Sequence, residues 1–281
     1  MSFDSPRPSL RRLGKVVPMV LVCSLGYSAV ASAAPAPAPQ IGVVRVDEAA
    51  QVKVVTTAAP TGLGPFDTAA ELVTQFYKDV LYRPATEAEV AVAAAAINGG
   101  MAPENWIAAL IDSPEMEADV RSVVRLYRAY FLRNPDRQGL RHWINKRREG
   151  WPLGQISHEF AKSNEFAIRY GQTTDGEFMD LIYDNVMDRT PDAAGRAYWI
   201  GRLEAGLYRG TLMTRFSETP EYKTRSAGGT AIIPLYNGMY QTSISRGIYD
   251  YLAPSIVSGR NTVAGLARTY LDDPKYQARF N

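Results

Sequence analysis

A five-position apolar stripe recurs four times along this sequence and constrains the fold more than any other feature. Each copy places apolar residues at positions −4, −1, 0, +3 and +4 around a tyrosine, which is the spacing of one buried face of an α-helix. The four tyrosines are Tyr77, Tyr127, Tyr183 and Tyr236. Because no alternation of strands and helices accompanies them, the pattern predicts an all-α protein built from four tandem helical repeat units.

A second signature closes each unit and keeps a fixed distance from the tyrosine. Its last residue follows the tyrosine by 39 positions in the first three units and by 40 in the fourth, so a unit spans about 50–56 residues. A Ser, Thr or Asp before a helical turn is a typical N-cap, and proline is tolerated at the first helical position. The four signatures are Ser113-Pro-Glu-Met116, Ser163-Asn-Glu-Phe166, Thr219-Pro-Glu-Tyr222 and Asp273-Pro-Lys-Tyr276.

The second and third units share a break between their first two helices. The breaks read Asn134-Pro135-Asp136 and Thr190-Pro191-Asp192, and the same capping logic predicts that the Asn or Thr caps the next helix. Those helices carry Trp143 and Trp199, each 16 positions after its tyrosine. Their repeated register predicts that both indoles belong to the core, although a stacking platform for sugars is the alternative.

The N-terminus has the features of an export signal. A basic segment precedes an apolar run and the small residues Ala31-Ser32-Ala33, which predicts a signal peptide at residues 1–33 that is cleaved after Ala33. A signal retained as an anchor is the alternative. Residues 34–66 are rich in Ala and Pro and are predicted to form a disordered tether. Residues 67–173 would hold repeats 1 and 2, and residues 174–281 repeats 3 and 4.

Loss of the signal peptide changes the charge and the cysteine content. It removes four of the 31 basic and one of the 29 acidic residues, which leaves 27 against 28. This balance gives no support to binding of nucleic acid or an anionic membrane. The only cysteine, Cys23, lies in the signal peptide and is removed with it, which excludes a disulfide, a thiol nucleophile and a thiolate metal site in the mature chain. We expect no stable membrane span after cleavage.

The third unit resembles the bacterial domain-of-unknown-function family 4214. The resemblance rests on Tyr183-x5-Arg189-Thr-Pro-Asp192-x2-Gly195-x3-Trp199 followed by Phe216-Ser-Glu-Thr-Pro-Glu-Tyr222. The second unit matches it again, and the similarity covers about residues 68–226. It implies an exported or surface-associated helical protein, similar to phycobilisome linker domains, and it implies no reaction. The first unit lacks the expected tryptophan and the fourth lacks the Arg-x-Pro-Asp break.

Five residues are the candidates for ligand binding, and each has a structural alternative. The arginines at the end of the first helix can satisfy its last carbonyls and pair with the neighbouring aspartates. The aspartates fit caps better than calcium ligands, because calcium needs a dense acidic loop. The tryptophan follows Gly150 in a loop, where an exposed indole could stack on a sugar. The candidates are Arg133, Asp136, Trp151, Arg189 and Asp192.

No motif in the sequence predicts a cofactor, a metal site or a catalytic triad. The only histidines, His142 and His158, lack the further ligands or the nucleophile that either chemistry needs. The sequence therefore favours a non-catalytic protein that binds or scaffolds at the bacterial cell surface, with an envelope polysaccharide or a surface protein as partner. Two alternatives stay open: an assembly or linker module, and a cell-wall glycan hydrolase with a glutamate as general acid. Its candidate acids are Glu115, Glu159, Glu165 and Glu221.

Overall fold

The computed structural model describes residues 62–280, so the predicted signal peptide, its cleavage site and most of the tether lie outside the described residues. Within that range the protein is all-α, as predicted, and has no β-strand. Two π-helical segments, Met116–Arg121 and Tyr183–Met187, interrupt the α-helices. The α-helices are α1 (Ala69–Val80), α2 (Glu87–Asn98), α3 (Pro103–Ile111), α4 (Ser122–Phe131), α5 (Arg137–Arg148), α6 (Leu153–Lys162), α7 (Asn164–Tyr170), α8 (Asp175–Ile182), α9 (Ala193–Glu204), α10 (Arg209–Ser217), α11 (Pro220–Tyr240), α12 (Arg246–Val257), α13 (Val263–Leu271) and α14 (Pro274–Gln277).

The predicted stripes form the core of the protein. The stripes centred on Tyr127 and Tyr183 are buried at all five positions, whereas Tyr77 and Tyr236 are half-buried. A later aromatic residue of the same unit packs against the tyrosine. The ring centroids of Tyr127 and Phe160 are 4.9 Å apart, and those of Tyr183 and Phe216 are 5.6 Å apart. Burial of these large side chains is the main stabilising contribution expected for such a fold.

The first helix of each predicted unit ends in the same backbone conformation. The fifth residue after each tyrosine has a positive φ, between 49° and 59°, although residues other than glycine rarely adopt this left-handed backbone conformation. The residues are Tyr82, Leu132, Asp188 and Gln241. This shared helix ending supports equivalent units, while their number stays a prediction.

The second helix of each predicted unit is capped nine positions after the tyrosine. There the side chain accepts a hydrogen bond from the backbone N–H three residues later. The prediction that Asn134 and Thr190 are the caps is wrong, because α5 and α9 are capped by Asp136 and Asp192. An aspartate satisfies a free N–H and also places a negative charge at the positive end of the helix.

The last residues of the predicted tether are part of the fold. Leu63 is buried, and the ring of Phe66 lies 4.9 Å from that of Phe280. In addition, the carbonyl of Gly62 accepts a hydrogen bond from Arg268 at 2.7 Å. The predicted end of the tether at residue 66 is therefore too late, because Leu63 and Phe66 anchor the chain to the core.

Helices from different units pack closely. Helix α6 packs on α10, and α3 packs on α13. Each of these contacts joins a helix of residues 67–173 to a helix of residues 174–281, the two groups predicted from the sequence. The assignment of two repeats to each group stays a prediction. The α6–α10 contact depends on Gly210, since a Cβ there would lie 2.6 Å from the Cα of His158 and 2.8 Å from the carbonyl oxygen of Gly154.

We expect Gly210→Ala to lower the free energy of unfolding by about 2 kcal/mol, because the added methyl group forces two backbones apart. The matched control is Gly201→Ala in α9, where an added Cβ meets nothing within 4 Å and should stabilise the helix by about 0.5–1 kcal/mol. Urea denaturation followed by circular dichroism measures both. Equal effects of the two substitutions would contradict the close approach of α6 and α10.

Candidate functional site

The predicted ligand-binding residue Arg133 is an element of the scaffold. Its guanidinium donates two hydrogen bonds to Glu165, at 2.5 and 2.7 Å, and lies 5.0 Å from the ring centroid of Tyr127. The predicted pairing with Asp136 is only a long contact of 3.9 Å, since that carboxylate caps α5 by accepting a hydrogen bond from the N–H of Gly139 at 2.7 Å.

The first unit has the same arrangement of an arginine that binds a glutamate and lies on the tyrosine ring, which we call the arginine–glutamate clamp. Arg83 binds Glu115 through two hydrogen bonds of 2.7 and 2.6 Å and lies 4.8 Å from the ring centroid of Tyr77. Hydrogen bonds from Arg83 lower the pKa of Glu115 below its usual value, and Arg148 adds to this effect. An arginine six positions after the tyrosine thus joins the first helix to the glutamate that follows the closing N-cap.

The third unit keeps the arginine but not the clamp. Arg189 lies 5.4 Å from the ring centroid of Tyr183 and is exposed, as is Glu221 at the position equivalent to Glu165. Within residues 62–280, Arg189 forms no ion pair. Asp192 caps α9 through the N–H of Gly195 at 2.7 Å.

The difference between the units provides a direct test of the clamp. A double-mutant cycle with Arg133→Gln and Glu165→Gln should give a coupling energy of about 0.5–1 kcal/mol, since the pair is bidentate but partly solvated. The matched cycle with Arg189→Gln and Glu221→Gln should give about zero. Thermal denaturation of the wild type and the six variants measures both, and equal coupling in the two cycles would contradict the structure.

Trp151 is half-buried rather than exposed. Its ring packs against the core, and the ammonium of Lys146 lies 5.2 Å from its centroid. Its backbone carbonyl accepts a hydrogen bond from Arg147 at 2.8 Å. The indole therefore offers a ligand less of its surface than its loop position predicted.

The structure brings a different set of polar residues together in a cleft between α4, the second π-helical segment, α11 and α12. The cleft has a volume of about 330 Å³, within the range of small-molecule sites. It is lined by Arg128, Leu132, Asp184, Asn185, Asp188, Tyr222, Arg225, Ser226, Thr230 and Tyr249. We call it the inter-unit cleft, since these residues come from the second, third and fourth predicted units.

The second π-helical segment and the residue that follows it supply the carboxylates of the inter-unit cleft. Asp184 and Asp188 are exposed, and within the described part of the chain neither forms an ion pair. Between them, Asn185 donates hydrogen bonds to the carbonyl of Ala129 at 2.8 Å and to the hydroxyl of Tyr170 at 3.0 Å. These bonds fix the segment to its neighbours, and π-helical turns are frequent at functional sites.

The inter-unit cleft also contains two guanidinium groups that lie on tyrosine rings. Arg128 lies 4.5 Å from the ring centroid of Tyr249, and Arg225 lies 5.4 Å from that of Tyr222. Burial raises the pKa of Tyr222 to about 12, so its hydroxyl stays protonated at neutral pH. The cleft thus presents both hydrogen-bond acceptors and hydrogen-bond donors, which is a suitable combination for hydrogen bonding to hydroxyl groups.

The apolar stripe marks the buried face of each helix, so it does not reveal the polar residues of this cleft. Asp184 and Asp188 are four positions apart, so they lie on one helical face next to the stripe. That spacing was a visible signal. Arg128 and Tyr249 are 121 positions apart, and only the fold shows that they meet.

Comparison with known families agrees with the resemblance found in the sequence. Residues 157–226 match a family described as Domain of unknown function (DUF4214). The chain carries a DUF4214 domain. Its matched segment begins in α6 and ends in α11, and so includes both aspartates and Arg225 of the inter-unit cleft. Neither the curated proteins nor the solved structures contain a match to the chain.

Neither a metal site nor a membrane span is found in residues 62–280. In this range no group of three or more His, Cys, Asp or Glu side chains is arranged to hold a metal ion. None of the helices described there combines the length and the hydropathy needed to cross a bilayer.

Proposed function

We propose that this DUF4214 protein is an exported, non-catalytic helical repeat protein that binds an envelope polysaccharide at the bacterial cell surface through the inter-unit cleft. The observation that supports the proposal is a cleft of about 330 Å³ that contains carboxylates without ion-pair partners, together with guanidinium groups that lie on tyrosine rings. The predicted signal peptide supports export, and the near-neutral mature chain is compatible with a neutral or mixed-charge glycan.

The chemistry of the cleft matches that of a sugar. Each sugar hydroxyl both donates and accepts a hydrogen bond, so it can bridge a carboxylate such as Asp188 and a guanidinium such as Arg225. The rings of Tyr222 and Tyr249 add apolar surface of the kind that packs on a sugar face. One such cleft would give a weak contact, and a polymer that meets several copies of the protein gains avidity.

The rival hydrolase has less support. A glutamate general acid needs a raised pKa, whereas hydrogen bonds from Arg83 lower the pKa of Glu115. Glu165 is held by Arg133 in a bidentate pair. Both glutamates are therefore better explained as parts of the scaffold.

Export has its own test. We expect the mature protein to begin at Ala34, because the small residues before it suit a signal peptidase. N-terminal sequencing of the exported protein measures this. Detection of Met1 at the N-terminus of the exported form would contradict cleavage and favour a retained anchor.

A glycan array of bacterial envelope polysaccharides, probed with the mature protein, tests the proposed function. We expect the protein to bind at least one glycan, and we expect that glycan to be recovered intact. Arg225→Gln should weaken the affinity for this glycan about tenfold, as for loss of a charge-assisted hydrogen bond. The matched control is Arg202→Gln in α9, which removes an exposed arginine that does not line the cleft. Shortened glycan products would favour the hydrolase. Absence of glycan binding, together with capture of a surface protein, would favour the assembly module.

A further inference from the structure

A second cavity lies between α1 and α5, at the junction of the first two predicted units. Its volume is about 310 Å³. Most of the side chains around it are cationic, and the residues that matter are Lys78, Asp79, Tyr82, Arg83, Arg137 and Arg141. We call it the α1–α5 cavity. It shares no lining residue with the inter-unit cleft.

Two polar atoms at this cavity are buried without a hydrogen-bond partner. They are the hydroxyl oxygen of Tyr82 and the Nε of Arg137, and the guanidinium carbon lies 5.7 Å from the centroid of the tyrosine ring. Burial raises the pKa of Tyr82 to about 12, so the hydroxyl can act as a donor at neutral pH. A buried donor without an acceptor is costly and rare in folded proteins. Two such atoms on residues that line the same cavity indicate a missing acceptor.

The free charge around the cavity is positive. Among the described residues, Lys78, Arg137 and Arg141 form no ion pair, whereas Arg83 is bound to two glutamates. The one carboxylate in the lining, Asp79, is only 4% exposed and is held by other side chains.

Two partners hold that carboxylate. Arg279 lies 3.1 Å from Asp79 in an ion pair, and Gln241 donates a hydrogen bond to it at 2.9 Å. This aspartate is therefore already bonded to other side chains, and it forms no ion pair with Lys78, Arg137 or Arg141.

The cationic set is particular to this junction. Arg137 and Arg141 lie ten and fourteen positions after Tyr127, and the equivalent positions of the third unit are Ala193 and Ala197. The helix that follows the break thus folds without these arginines in the third unit. Packing of the repeat does not account for them.

We propose that the α1–α5 cavity binds a phosphate group, with the hydroxyl of Tyr82 and the Nε of Arg137 as donors and with Lys78 and Arg141 as counter-charges. Four donor groups surround the cavity, and a phosphate offers three or four acceptor oxygens where a carboxylate offers two. The phosphate can be free in solution or carried by an envelope polymer. This site goes beyond the proposed glycan cleft and does not depend on it.

Calorimetric titration of the mature protein with inorganic phosphate tests the proposal. We expect Arg137→Gln to weaken phosphate binding about tenfold and Tyr82→Phe to weaken it about threefold, as for loss of a charged and of a neutral donor. The matched control is Arg246→Gln, since Arg246 is also the first residue of the second helix in its predicted unit, ten positions after Tyr236. This control should bind phosphate as the wild type does.

Tyr82→Phe separates binding from folding. It removes only a hydroxyl without a partner, so without phosphate its melting temperature should equal or exceed that of the wild type. Parallel titrations with a poly(glycerol phosphate) and with polygalacturonate identify the source of the anion: tighter binding of the phosphate polymer than of free phosphate indicates a polymer ligand. Absence of phosphate binding up to tens of millimolar, equal weakening by Arg246→Gln, or tighter binding of polygalacturonate than of either phosphate ligand would overturn the proposal.

Discussion

Tyr183→Ala should lower the free energy of unfolding by about 3 to 5 kcal/mol, as large aromatic truncations in cores do. The side chain is 4% exposed, and its ring packs on Phe216 with centroids 5.6 Å apart. The substitution would leave a cavity at the centre of the third predicted unit. Urea denaturation of the mature protein, followed by circular dichroism, measures the change.

Tyr198→Ala is the matched control for this prediction. Tyr198 belongs to the same predicted unit but is 57% exposed, so its truncation should change stability by no more than about 0.5–1 kcal/mol. Similar losses for the two variants would mean that the apolar stripe around Tyr183 is not the buried face of its helix.

Arg125→Met should lower the free energy of unfolding by about 3 kcal/mol. The arginine is 1% exposed and donates hydrogen bonds to Glu218 at 2.8 Å and to Glu117 at 2.7 Å. Methionine keeps most of the side-chain volume but leaves two partly buried carboxylates without their main partner, which is the costly way to break such a pair. Lys223 still contacts both glutamates, at 3.1 Å, and limits the loss.

Arg202→Met is the control for Arg125→Met. Arg202 is exposed on α9, and its replacement should change stability by less than about 0.5 kcal/mol. Chemical denaturation of both variants measures the difference. A loss below about 1 kcal/mol for Arg125→Met would show that the buried ion pair does not hold the second and third predicted units together.

The sequence predicted those features that depend on local chemistry. An apolar stripe at helical spacing is buried wherever the helix meets a core, and the stripes around Tyr127 and Tyr183 are buried at every position. The closing caps at Ser163 and Thr219 are also found as predicted. Such caps satisfy backbone N–H groups within three residues, so distant parts of the chain have little influence on them.

Features that depend on tertiary contacts could not be predicted in the same way. The predicted partner of Arg133 was Asp136, which is close to it along the chain, whereas its partner in the structure, Glu165, lies 32 positions away. Both the clamp and the inter-unit cleft exist only because α-helices from different segments pack together. The polar face of a helix shows which residues are free, but the fold decides which of them meet, as with Arg128 and Tyr249.

The binding role of the inter-unit cleft is the central claim, and one calorimetric comparison tests it most directly. The best glycan from the array is titrated into the wild type, the double variant Asp184→Asn/Asp188→Asn, and Glu204→Gln as a control on the exposed face of α9. Asparagine tolerates the left-handed backbone at position 188, so the double variant should fold normally. We predict about a tenfold or greater loss of affinity for the double variant and none for the control. Unchanged affinity in the double variant would contradict the account.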